Sequence, residues 1–83
     1  MQIYITKPAQ KDLDRLPNKI VVKIGMEIQK LANNPYPPNS KKLQFRDNTY
    51  RIRLGDYRAV YEVDVPDKKI HVVKIRHRKD VYR

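Results

Sequence analysis

Residues 50–61, which read YRIRLGDYRAVY, restrict the fold of this 83-residue chain more than any other stretch. Apolar and basic residues alternate on both sides of Gly55-Asp56, and such alternation is typical of β-strands that bury one face. A Gly-Asp pair between two such runs is typical of a two-residue hairpin turn of the primed kind. The pattern therefore predicts an antiparallel hairpin in which Arg53 pairs with Arg58.

The same alternation predicts that the two faces of this hairpin differ in character. Like charges that stand directly opposite each other across two strands destabilise a hairpin, so the pairing of Arg53 with Arg58 suggests a bound anion. A guanidinium group binds phosphate oxygens two at a time, which favours phosphate as that anion. The predicted core face comprises Tyr50, Ile52, Leu54, Tyr57, Ala59 and Tyr61, and the predicted basic face comprises Arg51, Arg53 and Arg58.

The residues before this hairpin predict a strand, two helices and a loop. Residues 2–6 alternate as a short strand does, and apolar residues then recur at helical spacing up to Pro17, which ends a first helix. Asn18 is a suitable cap for a second amphipathic helix. Residues 34–40, NPYPPNS, contain three prolines and predict a loop.

The second half predicts strands throughout. Residues 41–43 and 49–54 form one interrupted strand or two short ones, and residues 57–65 and 69–76 form the next two strands. Together these elements predict an α+β fold, in which an N-terminal strand and a helical hairpin pack on an antiparallel β-meander, with residues 1–83 forming one domain. In a meander the end of the last strand returns to the start of the preceding one. This topology brings Lys74, Arg76, His77 and Arg78 beside Arg58, and leaves open whether Arg76 or Arg78 faces it.

Composition indicates an acidic partner and the cytoplasm. The chain has 19 Lys and Arg against nine Asp and Glu, a net charge of +10, and it has no cysteine. Such an excess favours nucleic acid, an anionic membrane surface or an acidic protein as the partner. No apolar run reaches the roughly 20 residues that span a bilayer, and the alternating start MQIYITK does not resemble a signal peptide. Two histidines and scattered carboxylates lack metal-ligand spacing, so we expect neither a metal nor another cofactor.

The runs YRIRLGDYRAVYEVD and VVKIRHRKDVYR together resemble the RelE branch of the RelE/ParE superfamily of type II toxins. The order of elements matches as well, so the resemblance covers essentially the whole chain. It implies a RelE-like fold and cleavage of mRNA in the ribosomal A site, where a 2′-hydroxyl attacks the adjacent phosphate and leaves a 2′,3′-cyclic phosphate. It also implies a cognate antitoxin as partner, with the ribosome and mRNA as targets. The family's catalytic residues match Arg51, Arg53, Arg58, Arg78 and Tyr82 here.

This sequence departs from the family at two places. The basic pair on the second strand is lysine in the best-studied branch and arginine here, and arginine cannot act as a general base because it keeps its proton. That leaves Tyr82, His77 or no base at all. Arg76 stands where many relatives have glycine. The remaining basic residues expected to contact RNA are Lys42, Lys74, Arg76, Lys79 and Arg83.

Two other functions fit parts of the same pattern. A non-enzymatic ParE-like inhibitor of DNA gyrase shares the fold, although gyrase inhibitors generally lack the arginine cluster in this form. A plain RNA-binding module would use the same cations without cutting.

The two histidines do not form a catalytic pair. His71 and His77 both have odd residue numbers, so strict alternation would place them on the same face of the strand. By strand rise they should lie about 20 Å apart, which is too far for a catalytic histidine pair.

Overall fold

The computed structural model describes residues 1–44 and 46–79, and every structural statement below refers to these residues. They form a sheet of strand order β1-β5-β4-β3-β2 and two helices. Strands β2 to β5 are antiparallel neighbours, whereas β1 joins the sheet parallel to β5. The predicted α+β fold is therefore confirmed, with a mixed sheet. The elements are β1 (Gln2–Ile5), α1 (Lys7–Asp14), α2 (Asn18–Lys30), β2 (Ser40–Lys42), β3 (Thr49–Leu54), β4 (Tyr57–Asp64) and β5 (Lys69–His77).

The two helices begin differently. Thr6 caps α1, because its hydroxyl oxygen accepts the Ala9 N–H at 3.4 Å, and a proline in the first turn needs no hydrogen-bond partner there. Pro17, not Asn18, occupies the cap position of α2. The fixed φ of proline suits that extended position, and its carbonyl accepts the first helical N–H groups. The prediction of Asn18 as the cap was wrong by one residue.

The core lies between the helices and one face of the sheet. Both helices contribute buried side chains to the same cluster as β3, β4 and β5, so they pack against the same face. We call the opposite face of the sheet the outer face. The hairpin faces follow the prediction, with Ile52, Ala59 and Tyr61 buried. The cluster contains Ala9, Leu13, Ile24, Ile28, Leu31, Ile52, Ala59, Tyr61, Val63, Ile70, Val72 and Ile75.

A bulge in β5 changes which residues face the core. Val60 pairs with Lys74 while the next residue, Tyr61, pairs with Val72, so Val73 is an extra residue on β5. The buried positions of β5 therefore step from Val72 to Ile75 rather than by two. The expectation that the two histidines share a face was wrong for this reason.

Tyr61 fastens the proline-rich loop to the core. Its side chain is fully buried, and its hydroxyl donates a 2.6 Å hydrogen bond to the Pro35 carbonyl. The Tyr61 ring stacks on the Tyr50 ring with 5.8 Å between the ring centres. The centre of the Tyr50 ring in turn lies 5.0 Å from that of Tyr36. Burial raises the pKa of the Tyr61 phenol, and the Ser40 hydroxyl partly offsets that rise. The loop that leads into β2 is thus held beside β3 by a neutral phenol.

Candidate nucleic-acid interface

Two rows of basic residues cross the outer face next to the β3–β4 turn. The predicted pairing of Arg53 with Arg58 is confirmed, and the same row continues to Arg76 on β5. Residues that pair directly across strands lie on the same side of a sheet, so Arg76, rather than Arg78, stands opposite Arg58. The second row runs from Lys41 through Arg51 and Val60 to Lys74. We call these six cations the basic end: Lys41, Arg51, Arg53, Arg58, Lys74 and Arg76.

The turn next to the basic end has the predicted primed geometry. Gly55 has a φ of 67°, in the left-handed region, whereas Asp56 is not among the residues with positive φ. A positive φ at the first central residue alone is the pattern of a type II′ turn. This turn matches the right-handed twist of the strands, so it fixes the register that places Arg53 against Arg58.

A cleft of about 280 Å³ lies at the basic end. Its cationic lining comes from Lys41, Arg51, Arg53 and Arg58, and its other wall is formed by Pro38 and Asn39 of the proline-rich loop. The side-chain amide of Asn39 donates a 2.9 Å hydrogen bond to the backbone carbonyl of Arg53. The backbone N–H of Arg53 donates a 3.2 Å hydrogen bond to the backbone carbonyl of Asn39. These two bonds hold the loop wall against β3. Four cations around one cleft can bind a phosphate group and stabilise negative charge that develops on it.

Lys41 and Lys42 point to opposite sides of the sheet. Lys41 pairs with Arg51 and lines the cleft, whereas Lys42 pairs with Tyr50, whose ring packs toward the core side. Lys42 instead lines a separate depression with Leu43, Gln44, Arg46 and Asp47. The sequence predicts Lys42 for RNA contact, whereas the lining of the cleft contains Lys41 and Asn39 and not Lys42. The pairing register of β2 with β3 was the missing signal.

Arg78 and Lys79 lie at the turn side of the basic end. The backbone N–H of Arg78 donates a 2.7 Å hydrogen bond to the backbone carbonyl of Asp56. The Arg78 Nε lies 3.9 Å from an Asp56 carboxylate oxygen. Both side chains are exposed, so this ion pair contributes little to stability. Lys79 is also exposed. The structure therefore brings Arg78 next to the hairpin turn, as the meander predicts.

His77 faces the core side of the sheet, away from the arginines. It pairs with Tyr57 in the sheet, and the two rings meet edge to face at 5.2 Å. Its Nδ1 accepts the Lys79 N–H at 3.3 Å. A cavity of about 350 Å³ on that side is lined by Asp12, Arg15, Leu16, Tyr57, Ile75, Arg76 and His77. The structure thus separates the candidate base His77 from the cleft. Tyr82 and Arg83 lie outside the described residues.

The far end of the outer face carries acidic residues next to basic ones. Asp64 pairs with Lys69, and Glu62 pairs with His71 and Thr49. Tyr4 on β1 stacks against His71 at 5.6 Å, and the Lys69 ammonium lies 5.6 Å from the centre of the Tyr4 ring. The basic end therefore carries cations in both rows, whereas acidic and basic residues meet at the far end.

Two kinds of feature are absent from the described residues. Over residues 1–44 and 46–79, no group of three or more histidine, aspartate or glutamate side chains is placed to hold a metal ion. Neither α1 nor α2, the helices in that part of the chain, is long and apolar enough to cross a membrane.

The chain is similar to known toxins along nearly its whole length. The family described as ParE toxin of type II toxin-antitoxin system, parDE, matches residues 3–82. A putative toxin RelE1 of Methanocaldococcus jannaschii is 34% identical over 98% of this chain and 93% of its own length. Toxin RelE of Mycobacterium tuberculosis is 32% identical over 98% of this chain and 84% of its own length.

Solved structures agree with these sequence matches. An archaeal RelE–RelB complex from Pyrococcus horikoshii contains a chain that superposes with a TM-score of 0.82 at 32% identity, covering 93% of each chain. The isolated Escherichia coli RelE toxin superposes with a TM-score of 0.80 at 21% identity, which supports the fold alone.

Proposed function

Because the chain belongs to the RelE branch of the RelE/ParE superfamily of type II toxins, we propose that it is a ribosome-dependent mRNA endonuclease. The observation that carries this proposal is the cleft in which Lys41, Arg51, Arg53 and Arg58 converge. Electrostatic stabilisation of a phosphoryl transition state needs several fixed cations around one phosphate. The cleft supplies them on rigid strands, in a register fixed by a tight turn.

The proposed reaction is an internal transfer at one phosphate of the RNA. The 2′-oxygen forms a bond to phosphorus while the bond from phosphorus to the 5′-oxygen of the next nucleotide breaks. The 2′-hydroxyl gives up its proton and the leaving 5′-oxygen gains one, so the products are a 2′,3′-cyclic phosphate and a 5′-hydroxyl. Arg51, Arg53 and Arg58 bind the phosphate oxygens and stabilise the extra negative charge, and Arg78 contributes from the turn side.

The arginines cannot accept the 2′-hydroxyl proton. His77 lies on the core side of the sheet against Tyr57, which makes it a poor candidate for the base. We therefore propose Tyr82 as the residue that stacks on a base and orients the nucleotide. Proton removal then rests on Tyr82 or on positioning and charge without a dedicated base.

Partners follow from the same proposal. Ribosomes in the cytoplasm present single-stranded mRNA in the A site, and the net charge of +10 favours approach to ribosomal RNA. The Pyrococcus horikoshii relative was solved in complex with RelB. We propose that a RelB-like antitoxin binds this chain and blocks the basic end.

Purified protein added to programmed ribosomes with defined A-site codons tests the function directly. We expect cuts within the A-site codon and 2′,3′-cyclic phosphate ends, and none on the same mRNA without ribosomes. Tyr82→Phe should keep most activity and Tyr82→Ala should lose it if the ring stacks, whereas a loss of about 10²–10⁴-fold for Tyr82→Phe would indicate proton transfer. Intact mRNA together with inhibited gyrase supercoiling would replace the proposal with the gyrase function.

A further inference from the structure

Arg76 occupies a position in the basic end that its guanidinium group does not use. Its backbone stands directly opposite Arg58, in the row that begins at Arg53. Its side chain, however, forms an ion pair with Asp12 on α1 through Nη1. The same Nη1 donates a 3.0 Å hydrogen bond to the Ile75 carbonyl. The guanidinium is therefore turned over the edge of β5.

Asp12 is itself held in place by the edge of the sheet. The β1 strand pairs with β5 only as far as Val72, so the edge beyond the bulge has no strand partner among the described residues. The Asp12 carboxylate supplies an acceptor there, because Oδ2 accepts the Ile75 N–H at 3.0 Å. Its side chain is only 14% exposed. A partly buried carboxylate with a backbone donor on one oxygen is a fixed charge, and it attracts the nearest cation strongly.

The direction of Arg76 follows from strand geometry. The N–H and C=O of one strand residue point to the same edge, so the Ile75 carbonyl faces α1 just as the Ile75 N–H does. A guanidinium bonded to that carbonyl and to Asp12 points away from β4 and Arg58. The Arg76 side chain accordingly lines the cavity on the α1 side with Arg15 and His77, and it is absent from the lining of the cleft.

We propose that Asp12 withholds Arg76 from the RNA-binding surface and so sets the number of cations that this surface presents to phosphate. This inference rests on the proposed function, because it assumes that RNA binds at the basic end. Three guanidinium groups in one row repel one another, and Asp12 removes one of them by pairing with it. Asp12 acts as a positioning residue: it touches Arg76 and does not touch the RNA.

Salt dependence of RNA binding measures the number of cations that contact phosphate. We would titrate the full chain with a 2′-O-methyl RNA oligonucleotide, which cannot be cut, and follow fluorescence anisotropy at several salt concentrations. For single strands, each phosphate contact adds about 0.7 to the slope of log K against log salt. Asp12→Asn keeps an oxygen that can accept the Ile75 N–H but loses the charge that holds Arg76.

Asp12→Asn should steepen the slope by about 0.7, which is roughly a threefold larger loss of affinity over a fourfold rise in salt. The same substitution should have no effect on the slope in an Arg76→Gln background. Asp14→Asn is the matched control, because Asp14 is an exposed carboxylate on the same helix that bonds to Gln10. It removes the same charge and should leave the slope unchanged.

Three outcomes would overturn the inference. An equal gain from Asp12→Asn with and without Arg76 would mean that the carboxylate repels RNA directly. An equal gain from Asp14→Asn would indicate net charge alone. A loss of affinity in Asp12→Asn would mean that Asp12 presents Arg76 to the RNA. Failure of the proposed function is a separate result, in which wild-type binding does not depend on Arg58.

A second measurement needs no substitution at Asp12. In NMR spectra of the wild-type protein, the Nε–H signals of Arg53 and Arg58 should shift on addition of the same RNA, and the Arg76 signal should shift much less. A shift of Arg76 as large as that of Arg58 would contradict the inference even if Asp12→Asn failed to fold.

Discussion

The two ends of the outer face differ in the charges that they place opposite each other on neighbouring strands. At the far end Asp64 pairs with Lys69, so opposite charges stand across neighbouring strands. At the basic end Arg53 pairs with Arg58, and Arg58 pairs with Arg76. Opposite charges stabilise a cross-strand pair and like charges destabilise it. The far end therefore follows the rule for a stable sheet, whereas the basic end departs from it at the place where a ligand would compensate.

The largest test of this contrast is the loss of one cation from each end. Arg58→Ala should reduce ribosome-dependent cleavage by about 10²–10³-fold, because removing one donor to a developing oxyanion typically costs about 2.7–4 kcal/mol of activation free energy. Lys69→Ala removes the same charge from the far end and should leave the rate near wild type. Both variants should melt close to the wild-type temperature. Cleavage by Arg58→Ala at the wild-type rate would mean that the two ends do not differ in function.

A smaller effect is expected where the proline-rich loop meets the core. Tyr61→Phe removes the partly buried 2.6 Å hydrogen bond to the Pro35 carbonyl, which should lower the free energy of unfolding by about 0.5–1.5 kcal/mol. Because that loop forms one wall of the cleft, activity should fall as well. Urea unfolding at neutral pH measures the first effect, and an unchanged midpoint would show that the hydroxyl does not hold the loop.

The same substitution should alter the pH dependence of stability. Burial raises the pKa of Tyr61 above its ordinary value of 10.0, so the folded state keeps the phenol proton at a pH where the unfolded state loses it. This contribution is fully present below about pH 10 and is lost as pH rises through the folded pKa. Above pH 10 the wild type should lose stability more steeply than Tyr61→Phe. Parallel curves for the two proteins would contradict this assignment.

The smallest expected effect separates two adjacent lysines. Lys41 lines the cleft and Lys42 faces the other side of the sheet, although sequence reasoning favoured Lys42. Lys41→Ala should reduce the salt dependence of RNA binding by about one phosphate contact, or about 0.7 in slope, and Lys42→Ala should reduce it less. The reverse order would restore the original assignment and show that the edge strand turns over when RNA binds.

Local signals explain what could be predicted from the sequence. The Gly55-Asp56 turn fixes the register of its own hairpin, so the Arg53–Arg58 pair and the core positions Ile52, Ala59 and Tyr61 followed directly. Helical spacing and the prolines gave the order of elements. These features depend on residues that are close together along the chain, where turn type and side-chain period decide the outcome.

The features that could not be predicted from the sequence depend on contacts between residues that are far apart along the chain or on an irregularity in a strand. Asp12 and Arg76 are 64 residues apart in the sequence. No residue next to either of them in the sequence indicates that the two side chains form an ion pair. The side of Lys41 depends on the register in which β2 pairs with β3. The facing of His77 depends on the bulge at Val73, which alternation alone does not reveal because apolar residues stand at both 72 and 73.

The faces that the end of β5 presents depend on that extra residue being bulged out of the ladder. Removing Val73 would leave Val72 opposite Tyr61 and Lys74 opposite Val60, so residues 74–77 would keep their present faces. Keeping Val73 in a regular ladder without the bulge would instead turn residues 74–77 over. His77 would then join the arginines, and Arg76 would be driven toward the helices. The turn at residues 65–68 lies before the bulge and is exposed, so changes in its length leave this relation intact. A change in the length of that turn should therefore keep Arg76 within reach of Asp12, whereas loss of the bulge with Val73 still in the ladder would take Arg76 out of reach.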